Sequence, residues 1–294
     1  MRAASISESE DTLMEPEKLD FLREKSKEIR KLTLDAISWL GKGHVGGSLS
    51  IVDILTVLYY DKMKIDPRNP RWEKRDRFIL SKGHAGPAVY AALASRGYFP
   101  AEELHTLNRP YTRLPSHCDM QRTPGVDQTT GSLAQGLSCA VGNALAFRMR
   151  GNTENRVYCI VGDGELQEGQ CWEAFMLAGD KCLDNLVVFC DRNHGQVDGS
   201  VEEILDVEPL RGKLEAFNFR VYDIDGHDLT ALSDTIDAAN GDGRPSFIIC
   251  NTIKARGVPG MERAVETHNM AFSRAQYETA AAYIDAGFTA GQEG

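Results

Sequence analysis

Apolar and polar positions follow two rhythms along this chain. Over residues 19–40 apolar side chains recur at roughly helical spacing, and the run ends near Gly41. Short apolar runs stand at 78–80, 157–161, 186–190, 219–224 and 246–251, and these predict strands. Between them lie stretches of helical composition at 87–95, 133–148, 168–181, 208–217 and 229–240, with a last helix to about Ala286. Ser50 followed by Asp53 reads as a capping-box-like start for a helix through Tyr60. Gly97 closes the 87–95 helix.

Strands that alternate with helices in this way predict an α/β fold: a doubly wound, mostly parallel sheet flanked by helices. Two long segments interrupt the rhythm. Residues 98–131 are rich in Pro and Thr, with one short helical patch at 101–107, and residues 252–272 read as a second loop. Loops of that length inside a compact domain are usually functional. No linker divides the chain, so residues 16–294 are expected to form a single domain behind a polar, acidic and disordered tail to about Glu15.

Composition narrows the function classes. A net charge of −10 with no basic patch argues against nucleic-acid binding, although phosphorylated substrates need only a local Arg or His. No run of eighteen apolar residues exists and the N-terminus lacks an apolar core, so neither a membrane span nor a signal peptide is expected. The seven cysteines form no CxxC or Cys/His cluster. Cys139, Cys159, Cys171, Cys190 and Cys250 sit in apolar runs and read as buried, reduced thiols of a cytoplasmic protein.

The most informative chemistry lies between Gly162 and Asn193. Gly162-Asp163-Gly164 ends one predicted strand, and Asn193 ends the next after a helical crossover. A right-handed βαβ unit makes the two strands parallel and brings Asp163 and Asn193 to the same carboxyl edge, where α/β sheets bind ligands. A carboxylate and an amide oxygen suit Mg²⁺ completed by phosphate oxygens. The turn glycines let the backbone approach a phosphate. A second Gly-Asp-Gly, at 241–243, precedes a strand, and the residue thirty positions beyond its Asp is Phe272, so that copy reads as a plain turn.

Flanking text gives this pattern a family. Gly162-Asp163-Gly164-Glu165-Leu166-Gln167-Glu168-Gly169, with Asp191-Arg192-Asn193 and Val197-Asp198-Gly199, resembles the thiamine diphosphate motif of transketolases. Thr129-Thr130-Gly131-Ser132-Leu133-Ala134-Gln135-Gly136 and Ser81-Lys82-Gly83-His84-Ala85 resemble other segments of the same family, and the likeness runs from about Leu32 to His268. The resemblance implies thiamine diphosphate and Mg²⁺, or another divalent cation such as Ca²⁺ or Mn²⁺. It implies metal ligation by Asp163, Asn193 and the Gly195 carbonyl. Gly162, Gly164, Asn193, His84 and His268 would hold the diphosphate. Gly131, Ser132, Leu133 and Val197 would pack on the rings, and Glu168 would meet the activating glutamate of a partner. His44, His84, His117 and His268 are the implied catalytic histidines, imidazole being able to donate or accept a proton near neutrality.

The chain carries no counterpart of the pyrimidine-binding and C-terminal domains of full-length transketolases. It is therefore expected to be the N-terminal subunit of a split enzyme that transfers two-carbon ketol units between sugars or sugar phosphates. It would be active only with a separate C-terminal subunit, in an α2β2 heterotetramer. Three departures from the family stand out: Cys118 follows His117 where proline is usual, Thr267-His268-Asn269-Met270 replaces a Trp-His-Gly-Lys run, and His194-Gly195 follows the metal Asn. The first two fall at the substrate mouth and leave open a ketol or acyl transferase of specialised metabolism. A 2-oxo acid dehydrogenase subunit fits the loop segments less well. A non-catalytic subunit retaining the fold is the rival of another class. Zinc finds no HxxxH or HExxH spacing among the seven histidines.

Overall fold

The computed structural model describes residues 14–239 and 243–287. The expected tail up to residue 13, and Gly241 and Asp242 of the second Gly-Asp-Gly, lie outside the described residues. In chain order the helices are α1 (Pro16–Leu40), α2 (Val45–Leu49), α3 (Val52–Val57), α4 (Gly86–Ser95), α5 (Gln135–Met149), α6 (Gly169–Asp180), α7 (Val201–Leu205), α8 (Leu210–Ala216), α9 (Leu229–Ala238) and α10 (Arg274–Asp285). The strands are β1 (Lys42–Gly43), β2 (Arg77–Leu80), β3 (Val157–Gly162), β4 (Leu186–Arg192), β5 (Arg220–Asp225), β6 (Ser246–Asn251) and β7 (Met270–Ala271).

Five strands form one parallel sheet in the order β2-β3-β4-β6-β5. Strands β2, β3, β4 and β6 are buried almost throughout because helices cover both faces, whereas the edge strand β5 alternates, with Arg220 and Asp225 exposed. Phe78, Tyr158, Ile160, Val187, Phe189 and Ile248 point into a core shared with α1, α3, α4 and α9. Ile79, Cys159, Val161, Val188, Cys190 and Phe247 point the other way, into a core shared with α5, α6 and α8. The period of two along each strand produces this division. In register, Gly162 faces Asp191, which leaves Asp163 and Asn193 projecting side by side past the ends of β3 and β4.

Several helix ends follow their sequence signals. Gly41 ends α1 in the left-handed region, at φ 85°, and its N–H donates to the Ile37 carbonyl. Asp228 accepts from the Thr230 and Ala231 amides at the start of α9, and Ser273 with Gln276 forms a capping box on α10.

Elsewhere tertiary contacts override local signals. Ser50 does not start a helix. It follows α2, α3 begins at Val52 without a side-chain cap, and the last turn widens into a π-helix over Leu58–Lys62. The Ser50 hydroxyl donates instead to Asp191 (2.7 Å), while the Asp53 carboxylate is taken by Arg30 (2.8 Å) and His227 (2.7 Å). The 252–272 segment is not all loop, since a 3₁₀ turn at Val265–His268 leads into β7, which pairs antiparallel with β1. Ser200 caps α7, an element the sequence did not suggest. Cys139 is only half-buried, because α5 turns Leu137, Ala140, Val141 and Ala144 to the sheet instead.

Candidate active-site cleft

The candidate site lies at the carboxyl edge of the sheet, where the fold rule places ligands. Four histidines converge there from four segments. His44 precedes α2, His84 lies in the 3₁₀ turn Gly83–Ala85 after β2, His117 comes from the 98–131 loop, and His268 ends the 3₁₀ turn before β7. The β1–β7 ribbon pairs Gly43 with Met270 and so draws the His44 and His268 segments together. The His44 ring centroid is 5.2 Å from that of His84, 5.5 Å from that of His268 and 6.2 Å from that of His117. His84 and His268 are 5.0 Å apart.

These imidazoles are held neutral. Burial, then His117 and Lys82, pushes His44 down to about 4. Burial, then Lys254 and His44, does the same for His268. His84 falls well below the usual range through burial and then Lys82, and burial lowers His117. A neutral imidazole keeps one donor and one acceptor nitrogen, the form needed to pass protons to and from hydroxyls.

The histidines line a cleft of about 260 Å³ together with Gly131, Leu133, Gly162, Asp163, Gly164, Asn193, Gly195 and Val197. Two expected residues stand apart: Ser132 and Glu168 are exposed and do not line it. Whole ligand pockets usually enclose about 300–1,000 Å³, so the volume suits one wall of a larger site.

The donor set fits a divalent cation and an anion. Asp163 is buried, accepts from the Gly164 (2.8 Å) and His194 (2.6 Å) amides, and has its carboxyl pushed up to about 6 by burial and by Asp191. A buried carboxylate in that condition gains from a cation. Asn193 donates its Nδ2 to Asp191 (2.7 Å), which fixes the amide so that Oδ1, accepting from the Gly195 amide at 3.1 Å, is the oxygen available. Among the described residues no group of three His, Cys, Asp or Glu side chains is arranged around a metal. A cation here would therefore rely on the Asp163 carboxylate, the Asn193 amide oxygen and the Gly195 carbonyl, a hard oxygen set.

Lys82, Glu165, Gln196 and Lys254 also line the cleft, and the sequence did not single them out. Lys82 lies beneath it, donating to the Gly47 carbonyl (2.7 Å) and Asp191 (2.6 Å). Lys254 is 1% exposed, and the one hydrogen-bond partner of its ammonium among the described residues is the Gln196 carbonyl at 3.4 Å. Such an ammonium is poorly compensated and suits a phosphate oxygen. Lys82 stood in a segment that carried the family likeness, but nothing local marked either lysine as buried.

The family model described as "Transketolase, thiamine diphosphate binding domain" matches residues 23–292. The chain belongs to the transketolase family. It is similar to the 6-deoxy-6-sulfo-D-fructose transketolase subunit SqwG of Clostridium sp. (strain MSTE9), at 52% identity over 265 residues, 90% of this chain and 96% of that protein. It is also similar to an apulose-4-phosphate transketolase subunit of Actinobacillus succinogenes, at 39% identity over 85% of this chain and 91% of that one. A crystal structure of transketolase from Campylobacter jejuni matches the fold with a TM-score of 0.85 and 32% identity, over 90% of this chain but 43% of that one. This chain is thus an N-terminal transketolase subunit, one part of a thiamine diphosphate-dependent enzyme. No helix among the described residues is long and apolar enough to cross a membrane.

Proposed function

We propose that this transketolase subunit forms the diphosphate- and metal-binding wall of a two-subunit active site that moves a two-carbon ketol unit from a ketose to an aldose. The observation that carries the reading is the convergence of four neutral histidines with Asp163, Asn193 and Gly195 in one open cleft. In this reading Asp163, Asn193 and the Gly195 carbonyl hold Mg²⁺, for which Ca²⁺ or Mn²⁺ can substitute. The Gly164 amide, Lys254, His84 and His268 hold the diphosphate. Gly131, Leu133 and Val197 pack against the rings.

When bound, thiamine diphosphate supplies the electron sink that allows a ketose carbon–carbon bond to break. The chain's own residues orient and protonate. His44 and His117 face the substrate hydroxyls, and their neutral rings accept or donate a proton at the sugar oxygens. Exposed Glu168, at the start of α6, faces the partner and meets the glutamate that it supplies. The partner is a separate C-terminal subunit with the pyrimidine-binding domain, and the assembly is an α2β2 heterotetramer. Cytoplasmic location follows from the same reading.

6-Deoxy-6-sulfo-D-fructose is the first donor to test, because the relative acting on it shares 52% identity over nearly its whole length. The chain and its partner, purified separately and mixed, should transfer a ketol unit from that donor to an aldose phosphate in the presence of thiamine diphosphate and Mg²⁺. Neither should turn over substrate without the other. Steady turnover by this chain alone would overturn the two-subunit reading, and no turnover of any ketose by the mixture would overturn the catalytic one.

A further inference from the structure

We infer that Glu165 is a positioning residue that locks the ring-facing loop of the cleft to its diphosphate-facing turn and thereby sets the affinity for thiamine diphosphate. The inference rests on the function proposed above. Glu165 is 3% exposed and follows directly on the 162–164 turn. Its Oε1 accepts from the Ser81 hydroxyl (2.5 Å) and the Ala134 amide (2.7 Å), and its Oε2 accepts from the Gly162 amide (3.0 Å). The Ser81 hydroxyl in turn accepts from the Leu137 amide at 3.0 Å. One carboxylate thus fastens the end of β2, the end of β3 and the entry to α5.

The entry to α5 needs fastening. Ala134 stands at φ 68° and ψ −21°, a left-handed conformation that a residue with a Cβ adopts at a cost. It comes immediately after Leu133, which lines the cleft. The first amides of a helix have no partner within it, and the Glu165–Ser81 pair satisfies those of Ala134 and Leu137. A negative charge is also favoured at that end of a helix. Gly136 leaves no slack, since a Cβ there would lie 2.6 Å from the Ser81 Cα. The 131–133 loop therefore keeps its place only while Ala134 keeps its strained one.

Glutamine is a discriminating substitute. Both carboxylate oxygens face main-chain N–H donors, so whichever way a glutamine lies, its NH₂ meets an amide that also donates. Replacing Ala134 by glycine removes the cost of the left-handed conformation and should let the loop hold its place without the full clamp.

The test measures thiamine diphosphate affinity at saturating Mg²⁺ in the assembly with the partner, with hydrogen exchange at the Ala134 amide read in parallel. Glu165→Gln should weaken binding by about 10- to 100-fold, as loss of a residue supporting direct ligands does, and should expose the Ala134 amide to exchange. Glu165→Gln with Ala134→Gly should recover most of the affinity. Ser81→Ala, a milder loosening of the same clamp, should move affinity in the same direction and keeps the test open if Glu165→Gln does not fold. Affinity within twofold of wild type in Glu165→Gln or, failing that variant, in Ser81→Ala would overturn the inference. So would a loss that Ala134→Gly does not recover. A wild-type assembly that binds no thiamine diphosphate would instead overturn the proposed function itself.

Discussion

Lys82 Nζ lies 2.6 Å from Asp191 Oδ2, and the two side chains, 3% and 0% exposed, are buried at the floor of the cleft. Asp191 also accepts from Ser50, Thr252 and Asn193, so it joins α2, β4 and the segment after β6 under the proposed metal ligand. A buried pair of this kind is costly to break because the surviving charge keeps its desolvation penalty.

Lys82→Met should therefore destabilise the chain by about 3–5 kcal/mol, read as a lower midpoint in urea unfolding. Lys82→Met together with Asp191→Asn should recover part of that loss, because no bare carboxylate then remains. A double variant less stable than the single one would contradict the buried-pair account.

The histidine cluster predicts acid sensitivity. An unfolded chain takes up protons at these positions below about pH 6.5, whereas folded His44 and His268 take them up only near 4. Between those values unfolding binds protons, so stability falls as pH drops from about 6.5 toward 4. Unfolding midpoints of the cofactor-free chain at several pH values should trace this slope, and His44→Gln with His268→Gln should flatten it. An unchanged slope in the double variant would assign the acid sensitivity to other groups.

Lys254 should show opposite effects on stability and on binding. Its ammonium is buried with one long hydrogen bond. Lys254→Met removes an undercompensated charge while keeping most of the aliphatic stem, so the cofactor-free chain should melt at the same temperature or higher. In the assembly with its partner, thiamine diphosphate should bind about tenfold more weakly, the scale of a lost charge-assisted hydrogen bond. Unaltered affinity would remove Lys254 from the diphosphate contacts.

Much of this was legible in the sequence, for physical reasons. Strands β3, β4 and β6 showed as short apolar runs because the sheet is covered on both faces there. Asp163 and Asn193 were found by position, since a parallel βαβ unit must bring their strand ends together. Ser50 and Asp53 misled because their side chains satisfy Asp191, Arg30 and His227 across the fold, contacts with sequence separations of 23 to 174 residues. Lys82, Lys254 and Asp191 were missed for a related reason. Their burial depends on strand order, which places β2 beside β3 and β6 beside β4, and no local pattern encodes that order. His227 belonged to no motif, yet its Nδ1 meets Asp53 and its Nε2 accepts the Ile253 amide one residue before Lys254.

Two glycines in neighbouring helices give the sharpest test of the packing. At Gly179 in α6, a Cβ would stand 1.7 Å from the Phe217 carbonyl oxygen, a main-chain atom of the residue whose N–H donates to the last carbonyls of α8. Asn218 also donates to the Gly179 carbonyl at 3.2 Å, so the approach of the two segments is fixed from both sides. Gly179→Ala must push α6 away from the 217–218 turn and should cost at least the ~1–3 kcal/mol of ordinary overpacking. At Gly142 in α5 a Cβ would meet nothing within 4 Å. There alanine only restricts the unfolded chain and favours the helix, and Gly142→Ala should stabilise by about 0.5–1 kcal/mol. Urea unfolding of the two variants should therefore shift the midpoint in opposite directions. Equal shifts would mean that α6 is not seated on Phe217 as described.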